Sequence, residues 1–390
     1  MKIAIVSTMD EAPWGGSEEL WFGMAERALE DGHKICTLTS FWPECPTAID
    51  QLKARGAAVA FQRQLARLPS IWQRRQQRLL NLFNQARGVG RYRYFEPLHM
   101  WQPDMVCVSM GHIYEFLRHP GLIEFLKSTD VPFVLLGEFV DDVRIPLSAR
   151  LDLVSRIFDR ASKIVFVSQR NRHDVERHLA RHLPHAVVVH NPVNLEDRSI
   201  VPWPATDHPS LAVVGRLSIV AKGQDLLMEA LSSPTWRDRN WTLNLYGEGP
   251  DRDYLQSLVS FFEMEDRVHF HGHVEDLRQV WAQNHLLVMP SRGEGTPLAL
   301  VEAQLCGRPA VVTDVGGNAE WVEEGVTGFL AAGPSAKAID AALNRAWTQL
   351  SQWPTLGTSA HHQATEKSDP QPEETLLSLL VSAQHQTNRP

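Results

Sequence analysis

Two glutamates eight positions apart stand in the stretch SRGEGTPLALVEAQLCGRPAVV, residues 291–312. Glu294 lies in a glycine-rich loop and Glu302 in an apolar run, where a carboxylate is seldom found without a partner. HLLVMP reads as a strand ending at Pro290, Thr296 as a helix N-cap and Pro297 as the first helical residue. Leu298, Leu300, Val301, Ala303 and Leu305 then fill a short helix that stops at Gly307, with Pro309 beyond. The start of such a helix, with its free N–H groups and positive dipole end, is an anion site. Glu302 sits about 7.5 Å further along the axis at about 1.5 Å per residue. An anion between two hydroxyl-bearing rings fits that spacing, and a sugar nucleotide has that layout. The plainer alternative leaves Glu294 exposed and Glu302 on the solvent side of its helix.

Other loops bear on the choice. VVGRLSIVAKGQDLLMEAL (213–231) follows a strand and delivers Arg216 at its end and Lys222 at the next helix start. Two cations there can neutralise a diphosphate, the arginine as a fork and the lysine as a point charge. WGGSEE (14–19) follows the first strand; Gly15 and Gly16 permit close backbone approach, and Ser17 can cap the helix. TDVGGNAEWVEEG (313–325) adds a second glycine pair. The DRD at 251–253 has the form of a metal-binding motif, but after Pro250 it reads as a solvated helix start, so no metal site is expected.

These loops need strands behind them. KIAIVS, KICTLT, DMVCVSM, VPFVLLG and KIVFVS alternate with amphipathic stretches in the first half, beginning with a helix over 17–32 that Gly32 ends. The alternation restarts with SLAVVG, a helix from 222, WTLNLYG, a helix from 251, VHFHG, HLLVMP and PAVVT. Alternation of this kind predicts parallel sheets with helices on both faces. The expected fold class is α/β, two facing Rossmann-like domains with a cleft between them, ligands lying beyond the carboxyl ends of the strands. The boundaries read as 1–192, a proline-rich linker 193–209, a second domain 210–348, and a polar loop followed by a return helix over 349–390.

Composition sets the frame. A chain of 390 residues favours two domains over one core. Cys36, Cys45, Cys107 and Cys306 are scattered without a CxxC, which speaks against zinc or a disulfide framework and suits a reducing cytosol. MKIAIVSTMDE reads as a strand rather than a signal peptide, and no run approaches the roughly 20 apolar residues of a membrane span. The net charge of −8 divides into +3 over residues 1–190 and −11 over the rest.

In order and spacing, VGRLSIVAKGQDLLMEAL, LYGEGPDRDYLQSL, VHFHGHV, VMPSRGEGTPLALVEAQLCGRPAVVTDVGGNAEWVEEGVTGFL and the N-terminal GGSE resemble a family 4 glycosyltransferase of the GT-B fold. The likeness is strong over 213–330, moderate at 1–40 and 160–195, and poor at 41–155. It implies a retaining transfer from a nucleoside-diphosphate sugar to a glycan or lipid-linked acceptor, with no cofactor and no obligatory metal. It also implies residue roles. Glu302 would hold the ribose hydroxyls, Glu294 the donor sugar, and Arg216 with Lys222 the diphosphate. Backbone at Gly15, Gly16, Gly295, Thr296, Pro297 and Leu298 would complete those contacts, with His273 and Val274 at the base. The histidine such enzymes place near the donor sugar falls on His112, without the usual His-rich pattern. Glu138 stands where a second histidine is often found, as an acceptor contact or a loop cap. A sugar-nucleotide epimerase or hydrolase, or a binding protein without activity, stays open as an alternative.

Residues 61–95 carry eight arginines and no acid, with Leu65, Leu68, Ile71, Trp72, Leu79, Leu82 and Phe83 near helical spacing. The segment suits an amphipathic helix packed on the first domain, or a peripheral contact with an anionic membrane at its inner face. Nucleic acid is not expected, since the chain is acidic and carries no such motif.

Overall fold

The computed structural model describes residues 1–9, 14–62, 96–141, 145–146, 148–206 and 208–387. The basic segment from residue 63 onward therefore lies outside the described residues. The chain forms two compact units. One comprises Met1–Val167, Arg172–Asn191 and Gln371–Pro390, the other Ser168–Asn171 and Pro192–Pro370.

The first unit holds strands β1 (Lys2–Ser7), β2 (Lys34–Ser40), β3 (Ala58–Gln62), β4 (Met105–His112), β5 (Phe133–Phe139), β6 (Lys163–Phe166) and β7 (Ala186–Val188). They pair in parallel in the order β3-β2-β1-β4-β5-β6-β7. Parallel strands are covered on both faces, so they read as unbroken apolar runs. Val106, Val108, Leu135 and Ile164 face one core, and Ile3, Ile5, Cys107, Val134 and Val165 the other. Helix Gly16–Glu30 follows β1 and buries Leu20, Trp21, Met24, Ala25 and Ala28 on the second face. Its N-cap is Gly15, with no side-chain cap; Ser17, expected to cap it, lies inside the first turn. Helix Pro372–Thr387 packs on that same helix, close enough that a Cβ at Gly23 would lie 3.3 Å from Glu373 Cβ.

The second unit holds β8 (Ser210–Val214), β9 (Thr242–Tyr246), β10 (Val268–Gly272), β11 (Leu286–Met289), β12 (Ala310–Thr313) and β13 (Gly328–Ala331), in the parallel order β10-β9-β8-β11-β12-β13. Each face again carries a buried cluster. Residues 351–374, expected as a loop, instead contain helix Trp353–Lys367. Pro354 falls in its first turn, where a missing N–H costs nothing. The expected helix from 222 to 232 is two pieces, Ile219–Lys222 and Gln224–Leu231, parted by Gly223 in the left-handed region.

In both sheets the strand order reverses beside the first strand of its unit, at β1/β4 and at β8/β11. Helices leave to opposite faces there, and the loops beyond the strand ends spread into a crevice.

Candidate functional site

In the second unit the switch-point loops are 215–218 after β8 and 290–297 after β11, which carry Arg216 and Glu294. Lys222 lies at the end of the short turn that follows the first loop. The structure brings Lys222 and Glu294 into direct contact: the ammonium donates to both carboxylate oxygens, at 2.7 and 3.0 Å. Ser291 Oγ donates to the same carboxylate at 2.6 Å, and Glu294 is only 6% exposed. Arg216 is exposed and makes no ion pair among the described residues, while Gln224 Nε2 holds its carbonyl at 2.9 Å. One cation is thus held on a buried carboxylate, and a second is open to a ligand.

The Glu294 loop is supported from the side. The backbone at Gly316 passes so close that a Cβ there would lie 1.9 Å from the Glu294 carbonyl oxygen, and its φ is +49°. Only glycine satisfies both conditions. The Gly317 N–H then donates to the Gly295 carbonyl at 3.1 Å.

The helix after this loop runs Leu298–Leu305, so Pro297 is its cap rather than its first residue, and Thr296 precedes the cap. Pro297 has φ −80° and ψ 75°, an inverse γ-turn, and the Leu298 N–H accordingly donates to the Thr296 carbonyl at 2.9 Å. That N–H, expected to be open to a ligand, is occupied here. Glu302 lies on the buried side of this helix, 7% exposed, and accepts from the Asn194 N–H. Burial raises its pKa to about 7, against the bond from Asn194. Beyond β10, His273 is exposed and Val274 packs against the cluster that includes Leu300 and Val301.

Glu302 gives a testable pH dependence. Its folded pKa lies above the ordinary carboxyl value, so the folded state holds the proton more tightly. Its contribution to stability is therefore undiminished below about pH 4.5 and falls as pH rises through about 7. Glu302→Gln should gain stability over the native chain by about 3 kcal/mol on going from pH 4 to pH 8 in the absence of ligand. Denaturant titrations of both chains at the two pH values measure this; a pH-independent difference would mean that Glu302 ionises freely.

The first unit carries the other expected residues at its own switch point. Gly15 and Gly16 begin the helix after β1, and His112 ends β4. His112 is buried, not at the surface: its Nδ1 accepts from the Tyr114 N–H at 3.2 Å, and its Nε2 lies 3.9 Å from Asp141. Glu138 lies within β5 rather than in a loop. Burial holds its pKa well above the usual carboxylate range, and Asn191 Nδ2 donates to it at 2.7 Å. Asp251, the first acid of DRD, accepts from the Ile219 N–H at 2.8 Å and so caps a turn.

Residues 208–349 match the family model for glycosyl transferases group 1. Over these residues the chain is similar to the group 1 glycosyltransferases. The chain is 32% identical over 165 residues to a component of the human phosphatidylinositol N-acetylglucosaminyltransferase, covering 42% of this chain and 34% of that one. It is 27% identical over 231 residues to a GDP-mannose-dependent phosphatidylinositol monomannoside mannosyltransferase of Mycolicibacterium smegmatis, covering 54% and 59%. The chain thus spans about a third to three fifths of the length of these curated relatives. The crystal structure of Anabaena HepE in complex with UDP superimposes with a TM-score of 0.71 at 20% identity, over 98% of this chain and 100% of that one, which establishes a shared GT-B fold.

Sequence reasoning missed one residue of the Glu294 loop. Arg292, two positions before Glu294, forms a fork with Asp225, each nitrogen 2.7 Å from its own oxygen. The available signal was its charge complement, an acid three positions after Lys222.

Proposed function

We propose that the chain transfers a sugar, with retention, from a nucleoside-diphosphate sugar to a glycan or lipid-linked acceptor. The observation that carries this reading is the Lys222–Glu294 pair at the switch point of the second sheet, one helix start from the buried Glu302. Sugar-binding carboxylate, cation and ribose-binding carboxylate then answer to the sugar, diphosphate and nucleoside of one ligand. Two relatives support the ligand class, one by its complex with UDP and the other by its dependence on GDP-mannose.

In this reading Arg216 and Lys222 take the diphosphate. Negative charge grows on that group as the glycosidic bond breaks, and fixed cations stabilise it without reorganising. Glu294, released from Lys222, accepts from the sugar hydroxyls and fixes the ring. Glu302 accepts from the ribose, where a hydroxyl donor favours its ionised form. His273 and Val274 border the base. Contact of residues 61–95 with an anionic membrane belongs to the same proposal. Among the described residues no helix is long and apolar enough to cross a membrane.

Titration calorimetry with UDP and GDP, followed by donor turnover with and without acceptor, tests the reading. Turnover without acceptor would make the chain a hydrolase or epimerase, and binding without turnover a binding protein. Since two side-chain cations meet the diphosphate, transfer should survive EDTA with less than about a twofold loss. An absolute need for Mg²⁺ or Mn²⁺ would show that Arg216 and Lys222 do not suffice.

A further inference from the structure

Two ion pairs join the segment after β8 to the loop after β11. Lys222 meets Glu294, and Asp225 meets Arg292. The proposed function uses the first pair and leaves the second unexplained.

The second pair is the more constrained. Arg292 Nη1 and Nη2 each lie 2.7 Å from a separate Asp225 oxygen, and Nη1 also donates to the Ile219 carbonyl at 2.5 Å. The Arg292 N–H donates to the Ala221 carbonyl at 2.8 Å. A planar fork fixes its partner in angle as well as in distance, which an ammonium does not. Its acceptors, Ile219, Ala221 and Asp225, bracket Lys222 in sequence. Between them Gly223, at φ +62°, lies so close to the opposite loop that a Cβ would be 2.1 Å from the Pro290 carbonyl oxygen. The backbone is therefore held on both sides of Lys222. The Lys222–Glu294 pair cannot supply that hold, because the ammonium has to leave or share Glu294 to reach a diphosphate.

We propose that Arg292 and Asp225 are positioning residues, a latch that keeps the Lys222 backbone in place while its ammonium passes from Glu294 to the diphosphate. This rests on the reading of the site as one for a nucleoside-diphosphate sugar.

Calorimetric titrations of the full chain with UDP, GDP, uridine and guanosine test it. The variants are Arg292→Gln, Asp225→Asn, Lys222→Met and the double variant Arg292→Gln/Lys222→Met. Arg292→Gln is expected to weaken binding of the preferred diphosphate about tenfold and of its nucleoside less than about twofold. In the Lys222→Met background the same change should cost less than about twofold, since the residue it positions is gone. Asp225→Asn should repeat the pattern, which keeps the test sound if Arg292→Gln does not fold. Equal losses in the two backgrounds, or equal losses for diphosphate and nucleoside, would overturn the latch while leaving the site reading intact. A native chain that binds neither UDP nor GDP would overturn the site reading and the latch with it.

Discussion

Replacing Lys222 with methionine should lower the rate of sugar transfer by about 10²-fold or more, equivalent to about 2.7 kcal/mol of transition-state stabilisation. Two consequences of the change act together. The diphosphate loses a cation where its charge develops, and Glu294 loses a partner that touches both its oxygens. With its side chain only 7% exposed, Glu294 would then depend on the Ser291 hydroxyl. A buried carboxylate so stripped costs stability. Adding Glu294→Gln to Lys222→Met should therefore restore thermal stability without restoring rate. Arg216→Ala should slow transfer to a similar extent, and nucleoside affinity should barely change in either single variant. Near-normal turnover in both Lys222→Met and Arg216→Ala would remove these residues from the chemistry.

Arg308→Met is expected to destabilise the second unit by about 3–5 kcal/mol, since each buried carbonyl left without a donor costs about 1–3 kcal/mol. Arg308 is 0% exposed and forms no ion pair among the described residues. Its guanidinium instead donates to six backbone carbonyls, those of Val201, Pro202, Trp281, Asn284, Cys306 and Gly307, at 2.6 to 3.3 Å. Desolvation brings its pKa down to about 10, which leaves it charged at neutral pH. The charge sits at the C-terminal end of helix Leu298–Leu305, where a cation opposes the helix dipole. Methionine fills similar space but leaves those carbonyls without a donor. For a unit of this size the midpoint should fall by roughly 10 °C, readable by scanning calorimetry. A loss below about 1 kcal/mol would mean that water replaces the guanidinium.

Interior strands were legible because burial on both faces makes them continuous apolar runs, as in KIAIVS and LLVM. The unexpected strands β3, β7 and β13 are sheet edges, short and weakly patterned. Helix Trp353–Lys367 was hidden by Pro354, a residue that breaks a helix interior yet suits its start. At the site, Glu294 and Glu302 stood out as charges among apolar neighbours. The pairing of Glu294 with a lysine 72 positions earlier could not be read, since it depends on two loops meeting at a strand-order reversal. Arg292 escaped notice because an arginine in a loop looks solvated until its carboxylate is found.

Helix Pro372–Thr387 has a bearing on biosynthesis. It supplies Leu376, Leu377, Leu380 and Ala383 to the core beneath β1, β4 and β5, yet the ribosome makes it after the whole of Pro192–Pro370. The second unit's main segment is continuous and can close while the first still lacks that cover. At about 5–20 residues per second, the nascent first unit shows an apolar flank for about ten seconds or more. During that interval a chaperone that recognises apolar surface would find its target on the part of the chain that was translated first.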